Sequence, residues 1–373
     1  PEQAIWDNAH DALALVYIEP GAYQQTMGDM TSCPTQERVI ERIRRSGAGD
    51  AAELAQWEET YYARIGGGHL VIKEAMAVWE ATRPRRDYLV GMTAAVAASA
   101  QFGPTGEPYC YTATYPWIGD NRFAGIVHCN LTPAIPGGKG RFNLDAVLPT
   151  SLAGYASKGA RMDGIGLDCL DMGQDAANYR REHFALSAHP LTFSREERVP
   201  VIAGFVSTIE WLQELARVSR ERGHVVMANG AHCDAAYLTF AAPYLDILGC
   251  EGWTMQFPGF ARAIMGRKML TDLPTIPRPA WEVDWHTLYG IYPGWGNRVA
   301  DLTRVKPILA RLAVAGWNPS PAMRTKNAAI QIERFGGEGG APPLWVLHNR
   351  TAAVVTAELL QEGGRAGAPG RLD

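Results

Sequence analysis

The sequence predicts an α/β fold, a (β/α)8 TIM barrel followed by a small C-terminal antiparallel β region. Short apolar runs alternate with longer amphipathic helical patterns, which indicates parallel strands joined by helices. The last four of these runs begin 20 to 23 residues apart, about the length of one strand, one helix and two loops. Neither GxGxxG nor GxxxxGK(S/T), the phosphate loops of open nucleotide-binding sheets, occurs in the chain. The sequence therefore favours a closed barrel over a doubly wound sheet.

The strands are predicted from continuous apolar runs, because a strand that is covered on both faces needs no polar side. Six runs are of this kind: Ala124–Cys129, Gly164–Leu167, His224–Ala228, Leu245–Cys250, Lys268–Thr271 and Leu288–Tyr292. Two further strand-like segments, one of them Leu13–Ile18, would complete a barrel of eight strands.

Helices are predicted where apolar residues recur at helical spacing. The segment Gly204–Arg222 places four apolar side chains on one face and is followed by Gly223, a residue suited to a helix C-terminus. The segment Ala300–Ala315 repeats this pattern and is closed by Gly316. These two segments are predicted to be helices that pack against the sheet.

The chain is predicted to divide into a catalytic barrel over residues 1–324 and an appendage over residues 325–373. The helical patterns Gln36–Arg45 and Ala51–Arg64 belong to an insertion at about 34–100. In the appendage, Ala329–Glu333 and Leu344–His348 are separated by a Gly-rich turn, which is typical of antiparallel strands. The Gly-, Ala- and Pro-rich stretch Gly363–Gly370 predicts a frayed tail.

Composition and charge exclude several classes of protein. The 373 residues carry 35 Lys and Arg against 39 Asp and Glu without any basic block, so nucleic acid is not expected as a partner. No apolar run reaches the ~18 residues that a membrane span needs, so no membrane association is expected. Six scattered cysteines favour a reducing, cytoplasmic compartment, while secretion after removal of a leader before Pro1 stays open. Association of identical copies stays open as well.

Polar side chains follow the predicted strands, at the end of a barrel where active sites lie. Carboxylates and amides alternate there with Trp and Tyr. Carboxylates supply the acid, base or nucleophile of glycoside hydrolysis, and aromatic faces stack on sugar rings. The candidate sugar contacts are Asn130, Asp171, Asn229, His232, Trp253, Asp272, Tyr289 and Trp295.

Two carboxylates are the candidate catalytic residues. Asp168 directly follows an apolar run, where a charge is costly unless it is hydrogen-bonded or functional. Glu251 follows Cys250, and Trp253 is predicted on the same side of an extended chain. An aromatic wall raises the pKa of a carboxyl group and keeps a general acid protonated. The structural alternatives are a helix cap for Asp168 and a salt bridge at the rim for Glu251.

The sequence lacks the motifs of metal-dependent hydrolases and of hydrolases with a serine nucleophile. Neither HxH nor HExxH occurs, and no Cys pair has the spacing of a zinc site, so no metal is predicted. The nucleophile elbow GxSxG is absent too. Hydrolysis by two carboxylates requires no cofactor, and none is predicted.

The runs that carry these residues resemble the second half of a glycoside hydrolase barrel. They are Met162–Asp171, Val225–Gly230 and Asp246–Gly252. The resemblance is to the α-retaining enzymes of glycoside hydrolase clan D and the related endo-α-N-acetylgalactosaminidase group. It implies that Asp168, at the end of the fourth strand, is the nucleophile and that Glu251 is the acid/base. The strands from Ile330 onward resemble the β-sandwich that commonly follows such barrels.

The resulting hypothesis is a glycosidase that cleaves an O-glycosidic bond in an oligo- or polysaccharide by retaining double displacement. Retention requires carboxyl groups about 5–5.5 Å apart, whereas a gap of about 6.5–9.5 Å indicates inversion. Two alternatives are a non-catalytic carbohydrate-binding barrel and a polysaccharide lyase that uses Tyr289 or His232 as its base.

Overall fold

Parallel strands joined by helices form the centre of the fold in a computed structural model of the chain. The structure describes residues 1–10, 12–26, 33–54, 85–114, 123–170, 176–230, 235–251, 257–273, 278–294, 299–338, 342–351 and 353–361. The chain divides into two units, Pro1–Ala228 with Pro243–Leu245, and Asn229–Ala242 with Asp246–Asp373.

The described strands are short and spread along the whole chain. They are β1 (Leu15–Ile18), β2 (Ala22–Thr26), β3 (Cys110–Ala113), β4 (Ala124–His128), β5 (Gly164–Leu167), β6 (Ala177–Asn178), β7 (Thr192–Phe193), β8 (Pro200–Ala203), β9 (Val225–Asn229), β10 (Ile247–Cys250), β11 (Met269–Asp272), β12 (Ile291–Pro293), β13 (Trp317–Asn318), β14 (Met323–Arg324), β15 (Ile330–Phe335), β16 (Leu344–Asn349) and β17 (Leu360–Gln361).

The described helices are α1 (Glu2–Ala9), α2 (Gln36–Gly47), α3 (Arg85–Ser99), α4 (Lys139–Phe142), α5 (Leu148–Ser157), α6 (Gly204–Glu221), α7 (Ala235–Ala241), α8 (Phe257–Met265), α9 (Ala280–Leu288) and α10 (Val299–Ala315). Shorter 3₁₀ segments cover Arg181–Leu186 and Ala242–Tyr244, and a π-helical turn covers Asn143–Val147. No helix in the described part of the chain is long and apolar enough to cross a membrane.

The predicted parallel sheet with intervening helices is confirmed. Six strands follow the order β1-β5-β9-β10-β11-β12. In the first unit, Ile18 lies opposite Leu167, and Leu167 lies opposite Ala228. In the second unit, Cys250 lies opposite Asp272. Every residue of β5 and of β10 is buried, as their continuous apolar runs predict.

The eight-stranded barrel is not confirmed. Among the residues that the structure describes, six strands form the parallel sheet, and the predicted barrel strand Ala124–Cys129 instead supplies β4 of a separate antiparallel sheet, in the order β2-β4-β3. Strand β4 is still almost wholly buried, and Val39 of α2 packs against Gly125. An apolar run indicates burial but does not distinguish a parallel strand from an antiparallel one.

A second correction concerns Leu288–Tyr292, which was predicted as one strand. Helix α9 runs to Leu288, and β12 begins only at Ile291. Between them, Gly290 has a φ of 65°, in the left-handed region that glycine adopts readily. The apolar run therefore covers the end of a helix and the beginning of a strand.

The two amphipathic segments form the helices that their periodicity predicts. Helix α6 buries the apolar face of the predicted segment and also Trp211, whose indole N–H donates to the carbonyl of Gly140 at 2.9 Å. Helix α10 ends at Ala315, directly before Gly316, whose φ is 75°.

The predicted antiparallel strands near the C-terminus are confirmed. Strand β15 pairs antiparallel with both β13 and β16. Phe335, the last residue of β15, is buried against Leu309 and Leu312 of α10. The predicted frayed tail and most of the predicted helix Ala51–Arg64 lie outside the described residues. The division into residues 1–324 and 325–373 stays a prediction.

Strand β5 offers a test of the sheet packing through two glycines. A Cβ at Gly164 would lie 2.1 Å from the carbonyl oxygen of Val225, whereas at Gly166 the nearest atom, Cβ of Leu15, would be 3.6 Å away. We expect Gly164→Ala to lower the free energy of unfolding by about 1–3 kcal/mol, because backbone has to move. The matched variant Gly166→Ala should be neutral or slightly stabilising, since it restricts the unfolded chain. Urea denaturation of both variants measures the difference, and equal effects would contradict this packing.

Candidate active site

Asp168 stands at the carboxyl end of β5, beside β1. Its backbone N–H donates to the carbonyl of Ile18 at 2.8 Å, so the chain stays in register with β1 for one residue beyond the strand. The hydroxyl of Tyr17 donates to Oδ2 of Asp168. Tyr17 is 46% exposed, while its neighbours Val16 and Ile18 are buried. The phenol and the carboxylate therefore meet at an accessible surface of the first unit.

The backbone leaves its extended course immediately after Asp168. Cys169 has a φ of 47°, in the left-handed region that a residue with a side chain seldom adopts. Such a conformation costs about 1–3 kcal/mol and persists where the surrounding structure imposes it. The turn thus fixes the point at which Asp168 departs from the strand.

A buried lysine holds the segment that follows β1. The ammonium of Lys139 donates to the carbonyls of Glu19 at 2.9 Å and Pro20 at 2.5 Å, and the residue is only 2% exposed. Burial lowers the pKa of Lys139, because a charged group is costly away from water. The two carbonyl contacts secure the backbone that continues from Tyr17.

Glu251 stands at the carboxyl end of β10 and is exposed. Its Oε1 accepts a hydrogen bond of 2.9 Å from Nδ2 of Asn229, the last residue of β9. Its backbone carbonyl accepts a second hydrogen bond, of 2.5 Å, from Nη2 of Arg278. The structure therefore brings together two of the predicted site residues and adds an arginine that the sequence analysis missed.

Asp272, the last residue of β11, is fully buried. It accepts from Nε of Arg278 at 3.2 Å and from Nη2 at 3.3 Å. His286 approaches it as well, with Nδ1 3.8 Å from Oδ2. Burial and the charge of Arg278 lower the pKa of His286 to about 3, so this ring is neutral at physiological pH. Asp272, predicted to contact sugar, is in this structure the buried partner of an arginine.

Asn130 and Tyr289 are also buried and engaged inside the protein. The side-chain oxygen of Asn130 accepts from the backbone N–H of Thr132 at 2.9 Å, and its nitrogen lies 3.2 Å from Nδ1 of His183. The hydroxyl of Tyr289 accepts from Nε2 of Gln331 at 3.0 Å. Burial raises the pKa of Tyr289. The other predicted contacts, Asp171, His232, Trp253 and Trp295, lie outside the described residues.

The sequence analysis missed Tyr17, Lys139 and Arg278. The run Leu15–Ile18 alternates between buried and accessible positions in the structure, yet all four residues are apolar or aromatic and give no sign of this. Lys139 and Arg278 lie in loops or at helix starts, where a basic residue is usually solvated. No signal in the sequence identifies their partners.

Within the part of the chain that the structure describes, no three His, Cys, Asp or Glu side chains are arranged to hold a metal ion.

A scan against known protein families found no matching family, and a search of curated proteins found no relative. Partial likeness exists to solved structures of the α-N-acetylgalactosaminidase NagBb from Bifidobacterium bifidum. Its quadruple mutant matches at 13% identity and a TM-score of 0.42, over 70% of this chain and 38% of that one. The ligand-free enzyme and its GalNAc complex match at 13% and 11% identity, with TM-scores of 0.38 and 0.37. This chain spans about two fifths of their length, at 38% and 39% coverage.

The buried His183 makes a testable prediction about stability. Amide groups of Asn130 and Asn178 each lie 3.2 Å from its Nδ1, and its Nε2 lies 3.0 Å from the carbonyl of Ala98, which fixes a neutral ring with the proton on Nε2. Burial lowers the pKa of His183 from 6.5 to about 4. The unfolded chain therefore binds a proton at this histidine at a higher pH than the folded protein does. As the pH falls from 6.5 towards 4, the contribution of His183 to the free energy of unfolding is lost.

For His183 the loss over that interval should reach about 2–3 kcal/mol. We expect His183→Gln to flatten the decline of the unfolding free energy between pH 7 and pH 4.5, measured by urea denaturation. An identical pH dependence in wild type and His183→Gln would contradict the neutral assignment.

Proposed function

We propose that this protein is a glycoside hydrolase that cleaves an O-glycosidic bond in an oligo- or polysaccharide by retaining double displacement. Asp168 is the proposed nucleophile and Glu251 the proposed acid/base. One observation carries the proposal: each carboxylate directly follows a strand of the parallel sheet and receives a hydrogen bond from a residue in the neighbouring strand, Tyr17 for Asp168 and Asn229 for Glu251.

The surroundings of Asp168 suit a nucleophile. A carboxylate that attacks an anomeric carbon must hold one oxygen in line with the departing bond. The phenol of Tyr17 restrains Oδ2, and the left-handed turn at Cys169 restrains the backbone. Both restraints favour a fixed orientation over a freely rotating side chain, which is what an oriented attack requires.

The surroundings of Glu251 suit an acid/base. The residue is exposed, so it can exchange protons with water and approach a leaving oxygen. The amide of Asn229 holds Oε1 at 2.9 Å, which restricts the side chain while keeping it at the surface. Trp253, expected to shield this carboxyl group, remains a proposed contact, together with Asp171, His232 and Trp295.

The substrate class rests on the resemblance of the strand-end runs to clan D and to the endo-α-N-acetylgalactosaminidase group. It makes α-linked sugars, and α-N-acetylgalactosaminides first, the substrates to test. The lyase alternative with Tyr289 as base finds no support, because burial raises the pKa of this phenol and opposes its ionisation. A carbohydrate-binding barrel would bind sugars without turning them over.

Substitution of the two carboxylates tests the proposal. We expect Asp168→Asn to lower kcat/KM by roughly 10⁴-fold or more on every substrate, because the attacking oxygen is lost. Glu251→Gln should lower kcat/KM by about 10²–10⁴-fold on a glycoside with an alkyl leaving group. It should spare a dinitrophenyl glycoside, whose leaving group departs without protonation. The assay is release of sugar and phenol over a panel of α- and β-glycosides.

Two further results decide the mechanism. NMR of the first-formed sugar should show the anomeric configuration of the substrate, as retention requires. Asp246→Asn, in the turn before β10, is the control and should keep full activity. Full activity of Asp168→Asn or Glu251→Gln would refute the assignment, and binding of sugars without turnover by wild type would favour the binding barrel.

The hydroxyl of Tyr17 is predicted to matter through Asp168. Hydrogen bonds to charged groups contribute about 1.5–3 kcal/mol, so we expect Tyr17→Phe to lower kcat by about 10- to 100-fold with a smaller change in KM. Tyr111→Phe is the matched control, since Tyr111 is also exposed but packs edge-on against His128. Equal kinetics of the two variants would show that the phenol has no role.

A further inference from the structure

Arg278 joins the ends of two neighbouring strands in the second unit. Its guanidinium donates two hydrogen bonds to the carboxylate of Asp272, from Nε to Oδ2 at 3.2 Å and from Nη2 to Oδ1 at 3.3 Å. The same Nη2 also donates to the carbonyl of Glu251 at 2.5 Å. One planar group thus links the last residue of β11 to the residue that follows β10.

The carboxylate of Asp272 fixes this arginine. An ionised side chain that is fully buried is stable only with a charged or hydrogen-bonded partner, and Asp272 has no exposed surface. His286 is neutral because its pKa is about 3, so it supplies no positive charge. Glu282 adds a longer contact, 3.8 Å from Nε of Arg278. The Nε and Nη2 donors of the planar guanidinium point in fixed directions, so their pairing with the two oxygens of Asp272 confines the group to one orientation.

Glu251 is consequently held both at its backbone and at its side chain. Arg278 restrains its backbone carbonyl, and Asn229 restrains its side-chain Oε1 at 2.9 Å. An acid/base must lie within hydrogen-bond distance of the leaving oxygen, and a displacement of about 1 Å costs on the order of 10²-fold in rate. Two anchors on one exposed glutamate are the arrangement that such a constraint favours.

We infer that Arg278 is a positioning residue for Glu251 and that Asp272 is the buried counter-ion that orients Arg278, not a sugar contact. The inference rests on the proposed function, because it assigns the arginine a purpose only if Glu251 transfers protons. It replaces the predicted role of Asp272 with an indirect one.

The test compares two substrates of the same sugar that differ in their leaving group, in variants of the whole chain. Loss of Arg278 should impair proton transfer selectively, as loss of Glu251 does. For Arg278→Met we expect kcat/KM to fall by about 10²-fold on an alkyl glycoside and to change little on the dinitrophenyl glycoside of the same sugar. Arg278→Lys retains the charge but cannot donate two hydrogen bonds from one planar group. It should show an intermediate loss of kcat/KM with the same selectivity for the alkyl glycoside. Added guanidinium should restore part of the alkyl-glycoside activity of Arg278→Met.

Asp272→Asn provides a second variant, which retains the shape of the buried side chain. It should show the same leaving-group selectivity as Arg278→Met, since the guanidinium of Arg278 loses its ionised partner. Arg262→Met is the matched control: Arg262 is a buried arginine of the same unit that binds the carbonyls of Tyr289, Gly266, Lys268 and Gly290. Its loss should affect the melting temperature and lower activity on both substrates by the same factor.

The outcomes separate the two proposals. If the Arg278 and Asp272 variants lose kcat/KM equally on both substrates, as Arg262→Met should, the positioning role is overturned. The proposed glycosidase function would then still stand. Unchanged kinetics in those variants overturn the positioning role as well. Absence of turnover by wild type on every glycoside overturns the proposed function and, with it, this inference.

Discussion

In-register pairing of parallel strands is the constraint on which the candidate site depends. Ile18 lies opposite Leu167, so Asp168, the residue that follows β5, leaves the sheet beside the end of β1. In the second unit, Cys250 lies opposite Asp272, so Glu251 stands one residue beyond the end of β10, next to the end of β11. A shift by one residue would turn every side chain of a strand to the other face. Within each unit, the register therefore sets the point at which the polar side chain leaves the sheet.

Much of the fold follows from apolar patterning, and the exceptions have a common cause. Runs such as Gly164–Leu167 predict strands because burial on both faces removes polar residues. The run Ala124–Cys129 does form a buried strand, but its neighbours are antiparallel, and the run Leu288–Tyr292 begins with the last residue of a helix. Patterning reports how deeply a residue is buried. Strand direction and the point where a helix ends depend on turns such as Gly290, which leave little trace in hydrophobicity.

The contacts of the site were harder to predict than its carboxylates. Asp168 and Glu251 could be found because polar residues that follow apolar runs are conspicuous. Their donors could not: Tyr17 is 151 positions from Asp168, and Lys139 is 120 positions from Glu19. Such pairs arise only when the sheet and its connections are assembled. Buried cations in particular are defined by the backbone carbonyls that surround them, and carbonyls are the same at every position of a sequence.

Exposure distinguishes carboxylates that occupy equivalent places in the sequence. Glu251 and Asp272 both stand at the end of an apolar run, yet Glu251 is exposed and Asp272 is completely buried. A group that exchanges protons with a substrate has to be reached by it, whereas a buried carboxylate paired with an arginine is held in its ionised form. Asp272 is therefore suited to hold Arg278, and Glu251, with its backbone fixed by that arginine, is suited to act. The difference between the two lies in the register: Asp272 is the last residue of β11 and pairs with Cys250, whereas Glu251 lies one residue beyond β10. The apolar runs alone do not reveal this difference.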